Sequence, residues 1–160
     1  MIGYAGLVWI ALAPLLALRA RRSVAYVTAG TVICVWSADL LATGLKALAD
    51  RPRPFEALPQ AHRLMGATVG ASFPSGHAAT AFAGAVALGV LTRRAVPALF
   101  VLALAIAYSR VYVGVHYPVD VLAGALLGSA VAFAMLALLA TAPRLFSERR
   151  RRSARARPPG

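Results

Sequence analysis

The chain has 160 residues, 60% of them hydrophobic, and a formal net charge of +12. Its length and positive mean hydropathy fit one compact membrane domain and exclude a second domain. The seventeen basic residues lie between hydrophobic segments and not along one amphipathic face, which argues against nucleic-acid binding. The single cysteine, Cys34, lies within an apolar segment and excludes a disulfide framework or a cysteine-based metal site.

Apolar segments alternate with charged connections along most of the chain. This pattern predicts an all-α, polytopic membrane helix bundle with about five transmembrane helices. The predicted spans cover residues 2–18, 24–49, 75–92, 97–112 and 118–141. Charges follow the first apolar segment instead of preceding it, so we interpret that segment as a mature span and not as a cleaved signal peptide.

Two of the spans carry a pattern along one helical face. Asp39, Thr43 and Lys46 are spaced by four and three residues in the second span, and we expect that face to point into the bundle. Lys46 is the only lysine in a chain whose other basic residues are arginines. In the fifth span, Gly124 and Gly128 form a small-xxx-small pair that predicts close packing against another helix.

Two segments lie outside the predicted spans. Residues 50–74 form the one long connection, and their charged beginning and the apolar Phe55 and Leu58 favour a cap on the periplasmic side, although a flexible loop fits equally well. Residues 144–160 contain seven arginines and two prolines, which predicts a disordered cytoplasmic tail. The transmembrane domain is therefore predicted to cover residues 1–143.

Counting the spans places three polar segments on the same side of the membrane. They are Lys46 with Arg53-Pro54, Pro74-Ser75-Gly76-His77 at a helix start, and Ser109-Arg110 with His116 and Asp120. Three kinds of group here bind anions: the planar guanidinium of arginine, the compact ammonium of lysine and the free N–H groups at the start of a helix. So many hydrogen-bond donors on one side of the membrane suit a phosphate. The alternative interpretation is a helix cap with basic side chains that snorkel to the surface.

The third segment also suggests a reactive histidine. Pro118 suits the first turn of a helix, which would place His116 at its entrance and Asp120 one turn further in. The carboxylate can then hold one ring nitrogen of the imidazole and leave the other nitrogen to attack or to bind.

In this order and spacing, the three motifs resemble those of the type 2 phosphatidic acid phosphatase superfamily, which also includes the vanadium-dependent haloperoxidases. The resemblance covers residues 39–125. It implies that the phosphate is bound by Lys46, Arg53, Ser75, Gly76 and Arg110. It also implies that His116 is the nucleophile, Asp120 its orienting residue and His77 the general acid. Five donors to phosphate with only one nearby acid predict catalysis without a metal, and no cofactor is expected. Membrane members usually have six spans, so the resemblance implies a missing span before residue 2.

These residues predict hydrolysis of a lipid phosphate through a phosphohistidine on His116. One alternative is a metal hydrolase that uses His77, His116 and Asp120 as ligands, against which the cationic surroundings argue. Another is a transporter or binding module for phosphorylated lipid without turnover, which leaves the two histidines unexplained.

The resemblance leaves the lipid open among phosphatidate, phosphatidylglycerol phosphate, polyprenyl diphosphates and polyprenyl-linked phosphosugars. Small size and a short cap favour a polyprenyl carrier of a bacterial envelope. Twelve arginines lie in residues 19–22, in residues 93–94 and after residue 141, which the positive-inside rule assigns to the cytoplasm. We therefore expect an active site on the extracytoplasmic face of the bacterial cytoplasmic membrane. The expected partners are the lipid substrate and membrane lipids, without nucleic acid, and the oligomeric state stays open.

Overall fold

The computed structural model of the protein describes residues 4–58, 70–90 and 93–155. In this part of the chain all regular elements are helices. They are α1 (Tyr4–Arg19), α2 (Val24–Ala49), α3 (Pro54–Ala57), α4 (Gly76–Gly89), α5 (Val96–Tyr112) and α6 (Pro118–Arg155), with a short 3-10 turn over Arg93–Ala95. The predicted all-α bundle is confirmed, and the five long helices follow the five predicted spans.

The helices differ in whether they are long enough to cross a membrane. Among the residues that the structure describes, three stretches are long and apolar enough by length and composition: Val24–Ala57, Arg93–Tyr112 and Pro118–Thr141. The apolar helix Gly6–Arg19 is shorter, and α4 has only 14 residues, whereas a crossing needs about 20. The predicted spans are therefore correct in position, and three of them are also long and apolar enough to cross a membrane.

Helix α4 lies at the centre of the bundle and packs against α1, α2, α5 and α6. It consists largely of alanine and glycine, and small residues let helix backbones approach closely in a membrane protein. On α6, a Cβ at Gly124 would collide with the carbonyl oxygen of Ser75, and one at Gly128 with that of Ala79. The predicted packing role of the two glycines is therefore confirmed.

Local signals set the ends of the helices. The Ser23 hydroxyl accepts the Tyr26 N–H at the start of α2, and Asp50 ends that helix in the left-handed conformation, with φ 37°. The left-handed Gly114, with φ 74°, lies in the turn between α5 and α6. At one end of the bundle, α2 and α5 end and α4 and α6 begin. We call this end the mouth; it comprises residues 46–54, 70–77 and 109–120.

Two expectations need correction. Helix α6 continues through residues 144–155, where we predicted disorder, because six of these twelve residues are arginines, which favour helix, and none is glycine or proline. Thr43 is exposed, whereas Asp39 and Lys46 are half-buried, so the inward face of α2 is narrower than predicted. Residues 59–69, in the middle of the predicted cap, and residues 156–160 lie outside the described part of the chain.

Candidate active site

Two of the predicted phosphate ligands, Lys46 and Arg53, converge on one backbone carbonyl. Lys46 Nζ donates to the oxygen of Ala71 at 2.8 Å, and Arg53 Nη2 donates to the same oxygen at 3.5 Å. Arg53 is only 3% exposed; its Nε donates to Gly70 O and its Nη1 to Val115 O, both at 2.9 Å. This side chain therefore joins the loop before α4 to the residue that precedes His116.

The start of α4 supplies backbone donors and one of the histidines. Ser75 is buried, its hydroxyl accepts the Ala78 N–H at 3.4 Å, and its own N–H donates to the Asp120 carbonyl at 2.9 Å. Gly76 is the first helical residue, where N–H groups lack partners within the helix and the dipole favours an anion. His77 follows at the same end and is half-buried. The hydrogen bond between Ser75 and Asp120 ties the starts of α4 and α6 together.

His116 and Asp120 are adjacent but are not hydrogen-bonded. His116 is 5% exposed and Asp120 fully buried, and His116 Nδ1 lies 3.8 Å from Asp120 Oδ2, beyond hydrogen-bond range. Both carboxylate oxygens have other partners, because Oδ2 accepts the Tyr117 N–H at 2.9 Å and Oδ1 accepts Arg51 Nη1 at 2.8 Å. The expected contact between carboxylate and imidazole is thus not made here, and His116 Nδ1 is buried without a hydrogen-bond partner.

The surroundings of His116 favour its neutral form. His116 lies in the turn between α5 and α6, outside the membrane-spanning helices. Burial lowers the pKa of His116 to about 3, the positive charges of Lys46 and Arg53 act in the same direction, and a hydrogen bond with the Ser72 backbone opposes them. The imidazole is therefore neutral at physiological pH, as a nitrogen nucleophile must be.

The remaining predicted ligand is Arg110, in the last turn of α5. Its Nε donates to the Ser109 hydroxyl at 3.1 Å, and its charge lies within electrostatic reach of His77. All eight residues predicted for the site thus lie at the mouth. Within the described residues, no group of three or more His, Cys, Asp or Glu side chains is arranged to hold a metal ion.

One residue of the mouth was not assigned a role from the sequence. Arg51 binds Asp120, and its guanidinium lies over the Tyr117 ring, 4.2 Å from the ring centre. The available signal was a second arginine beside Arg53 in the charged beginning of the long connection. That signal indicates an extra cation but does not identify its partner, because Asp120 is 69 residues further along the chain.

Comparisons with known proteins show the family of the chain. The family model of the PAP2 superfamily, the type 2 phosphatidic acid phosphatases, matches residues 23–144. The chain is 36% identical over 137 residues to an undecaprenyl-diphosphatase of Sulfolobus acidocaldarius, a match that covers 85% of this chain and 66% of that protein. The chain thus spans slightly less than two thirds of that relative's length.

Two solved structures have a similar fold. The crystal structure of a PAP2-type phosphatidylglycerolphosphate phosphatase from Bacillus subtilis aligns with a TM-score of 0.64 and 25% identity, covering 82% of this chain and 67% of the other. The structure of LpxE from Aquifex aeolicus aligns with a TM-score of 0.63 and 28% identity, covering 82% of each chain. Both alignments are consistent with a helical membrane bundle.

Proposed function

The chain belongs to the PAP2 superfamily, and from this premise we propose that it is an integral membrane lipid phosphatase that acts through a phosphohistidine on His116. One observation carries the proposal. Two cations, Lys46 and Arg53, converge beside a buried, neutral histidine at the end of the bundle where backbone donors of α4 begin. This combination supplies both a phosphate cradle and a nucleophile.

The phosphate would take the place of backbone carbonyls as the partner of the cations. Lys46 and Arg53 now share the oxygen of Ala71, a neutral acceptor, whereas an anionic phosphoryl oxygen would add the attraction between opposite charges to each hydrogen bond. Arg110, the Ser75 hydroxyl and the Gly76 N–H complete the set of donors. Arranged around phosphorus, these groups stabilise the charge that develops on the equatorial oxygens in the transition state.

The reaction then proceeds in two displacements. The ring nitrogen of His116 that does not face Asp120, Nε2, attacks phosphorus. The bond from phosphorus to the leaving oxygen breaks, and His77 donates a proton to that oxygen. His77 next takes a proton from water, which attacks phosphorus and breaks the phosphorus–nitrogen bond. Inorganic phosphate leaves and His116 is regenerated. Asp120, 3.8 Å from Nδ1, stabilises the positive charge that the imidazole carries in the intermediate.

The proposed substrate is a polyprenyl diphosphate exposed on the extracytoplasmic face of the cytoplasmic membrane. The name of the undecaprenyl-diphosphatase relative supports this lipid class. The charge distribution supports the orientation, since twelve arginines lie in the connections opposite the mouth and in the tail. At the mouth, Lys46, Arg53 and Arg110 have a proposed role in phosphate binding and so carry little information on topology.

Phosphate release by purified protein tests the activity. The wild type in detergent is expected to release inorganic phosphate from undecaprenyl diphosphate faster than from phosphatidate, phosphatidylglycerol phosphate or a polyprenyl phosphosugar. His116→Ala, prepared in parallel, is expected to release none. Retention of these lipids without release would instead support a transporter or binding module, and full activity of His116→Ala would refute the proposed nucleophile.

Cysteine labelling tests the orientation. The wild type is a matched control because its one cysteine, Cys34, is buried. In intact cells, an impermeant maleimide is expected to label Ala61→Cys, in the long connection, but not Ser153→Cys, in the tail. Labelling of Ser153→Cys alone would reverse the topology and remove the argument for an extracytoplasmic lipid, while leaving the chemistry at the mouth unaffected.

A further inference from the structure

One cation of the mouth, Arg51, is paired with a carboxylate. The Arg51 guanidinium lies 2.8 Å from Asp120 Oδ1 and stacks over the Tyr117 ring, whereas Lys46 and Arg53 both point to the Ala71 carbonyl. The Arg51 side chain is 37% exposed, and Asp120 is fully buried. The pair therefore links the surface of the mouth to the carboxylate beside His116.

This contact determines how the Asp120 carboxylate is oriented. The Tyr117 N–H holds Oδ2 and Arg51 holds Oδ1, so that Oδ2 is the oxygen on the side of His116 Nδ1. The terminal torsion of an aspartate is broad, so one hydrogen bond alone fixes the plane of the carboxylate poorly. Loss of Arg51 would also leave a fully buried carboxylate without its charged partner.

We propose that Arg51 is a positioning residue for the reaction proposed above, on which this inference rests: it fixes the Asp120 carboxylate so that Oδ2 faces His116, and its charge opposes that of Asp120. Both effects act on His116 through Asp120. Arg51 need not touch the phosphate, because its guanidinium is held by the carboxylate and by the aromatic ring.

The charge effect has a definite sign. The ionisable groups around the imidazole are Lys46 on α2, Arg53 in the connection before α3, His77 on α4 and Asp120 on α6, with Arg51 behind the carboxylate. A carboxylate favours the protonated imidazole, and the cation bound to it weakens that attraction. Removal of the Arg51 charge is therefore expected to make His116 easier to protonate. The acid limb of the activity profile would then move to higher pH.

Three variants separate this role from the alternatives. Arg51→Gln removes the charge, Arg51→Lys keeps it without the planar fork, and Arg94→Gln is the matched control, since Arg94 is exposed beyond the far end of α4. For Arg51→Gln we expect kcat to fall about tenfold with KM changed less than about twofold, as for a misplaced catalytic group. For Arg51→Lys we expect kcat to fall about threefold and the acid limb of the pH profile to stay at its wild-type position.

Two further measurements test whether the effect passes through Asp120. In an Asp120→Asn background, Arg51→Gln is expected to change kcat less than about twofold, because the group it positions is already lost. Imidazole NMR in detergent micelles should also show His116 titrating at a higher pH in Arg51→Gln than in the wild type. That readout needs no turnover, so it tests Arg51 even if the wild type releases no phosphate and the proposed function fails.

Each contrary result overturns the inference. A tenfold increase in KM with unchanged kcat would make Arg51 a phosphate ligand. An equal loss of kcat in both backgrounds, or an unchanged His116 titration, would show a purely structural role. Size-exclusion profiles report whether each variant is folded. If Arg51→Gln does not fold, Arg51→Lys decides the matter, because a shift of its acid limb would contradict the proposed charge effect.

Discussion

Gly124→Ala is expected to separate the starts of α4 and α6 and so to disrupt the site. The added Cβ would lie inside 3 Å of the Ser75 carbonyl oxygen, 3.1 Å from Ala78 Cβ and 3.2 Å from the Ser75 carbonyl carbon. Non-bonded heavy atoms are most stable at about 3.5–4.0 Å, and the clashing atom belongs to a helix backbone that cannot rotate away. The two helices must therefore move apart by about 1 Å.

The consequences for stability and activity can be worked out separately. Overpacking costs about 1–3 kcal/mol, and the better helix propensity of alanine returns about 1 kcal/mol, so the net loss of stability is about 0–2 kcal/mol. The hydrogen bond from Ser75 N–H to Asp120 O would lengthen from 2.9 Å to about 3.9 Å and break. A displacement of about 1 Å between the phosphate cradle and His116 is expected to lower kcat about 100-fold.

Gly44→Ala is the matched control, because a Cβ there would meet no atom within 4 Å. We expect this variant to keep the wild-type kcat and to be unchanged or slightly more stable. Phosphate release measures kcat, and the thermal unfolding midpoint in detergent measures stability. A folded Gly124→Ala with wild-type kcat, or an equal loss of kcat in Gly44→Ala, would refute the reasoning from helix contact.

Three further predictions concern the chemistry at the mouth. A single turnover of a chirally labelled phosphate ester in oxygen-18 water is expected to retain configuration at phosphorus, because attack by His116 and then by water are two displacements; inversion would exclude His116 as the nucleophile. Activity is expected to survive EDTA and to be inhibited by vanadate, whereas loss in EDTA that a divalent ion restores would favour a metal hydrolase. Lys46→Arg is expected to lower kcat despite the retained charge, because a planar fork does not fit the position of a compact ammonium; a wild-type rate would show that charge alone is sufficient there.

Much of the architecture followed from hydropathy and local signals. The bounds of α2 and the starts of α5 and α6 agree with prediction within one residue, because apolar runs, arginine clusters and prolines act over one or two turns. The packing of Gly124 and Gly128 also followed from their spacing, which places both on one helical face. The arginine-rich end of α6 was missed, since its composition fits a solvated chain as well as a charged helix.

The motifs placed eight residues at one end of the bundle, because the number of spans between motifs determines which ends meet. Their mutual contacts depended on the tertiary structure. A spacing of four residues brings His116, just before α6, close to Asp120 in its first turn, but the direction of the carboxylate is set by Arg51, which reaches it from a distant part of the chain. Local sequence thus determined which groups enter the mouth. Only the packed helices decided which donor each acceptor receives, because hydrogen bonds act over about 3 Å between residues that the chain itself does not bring together.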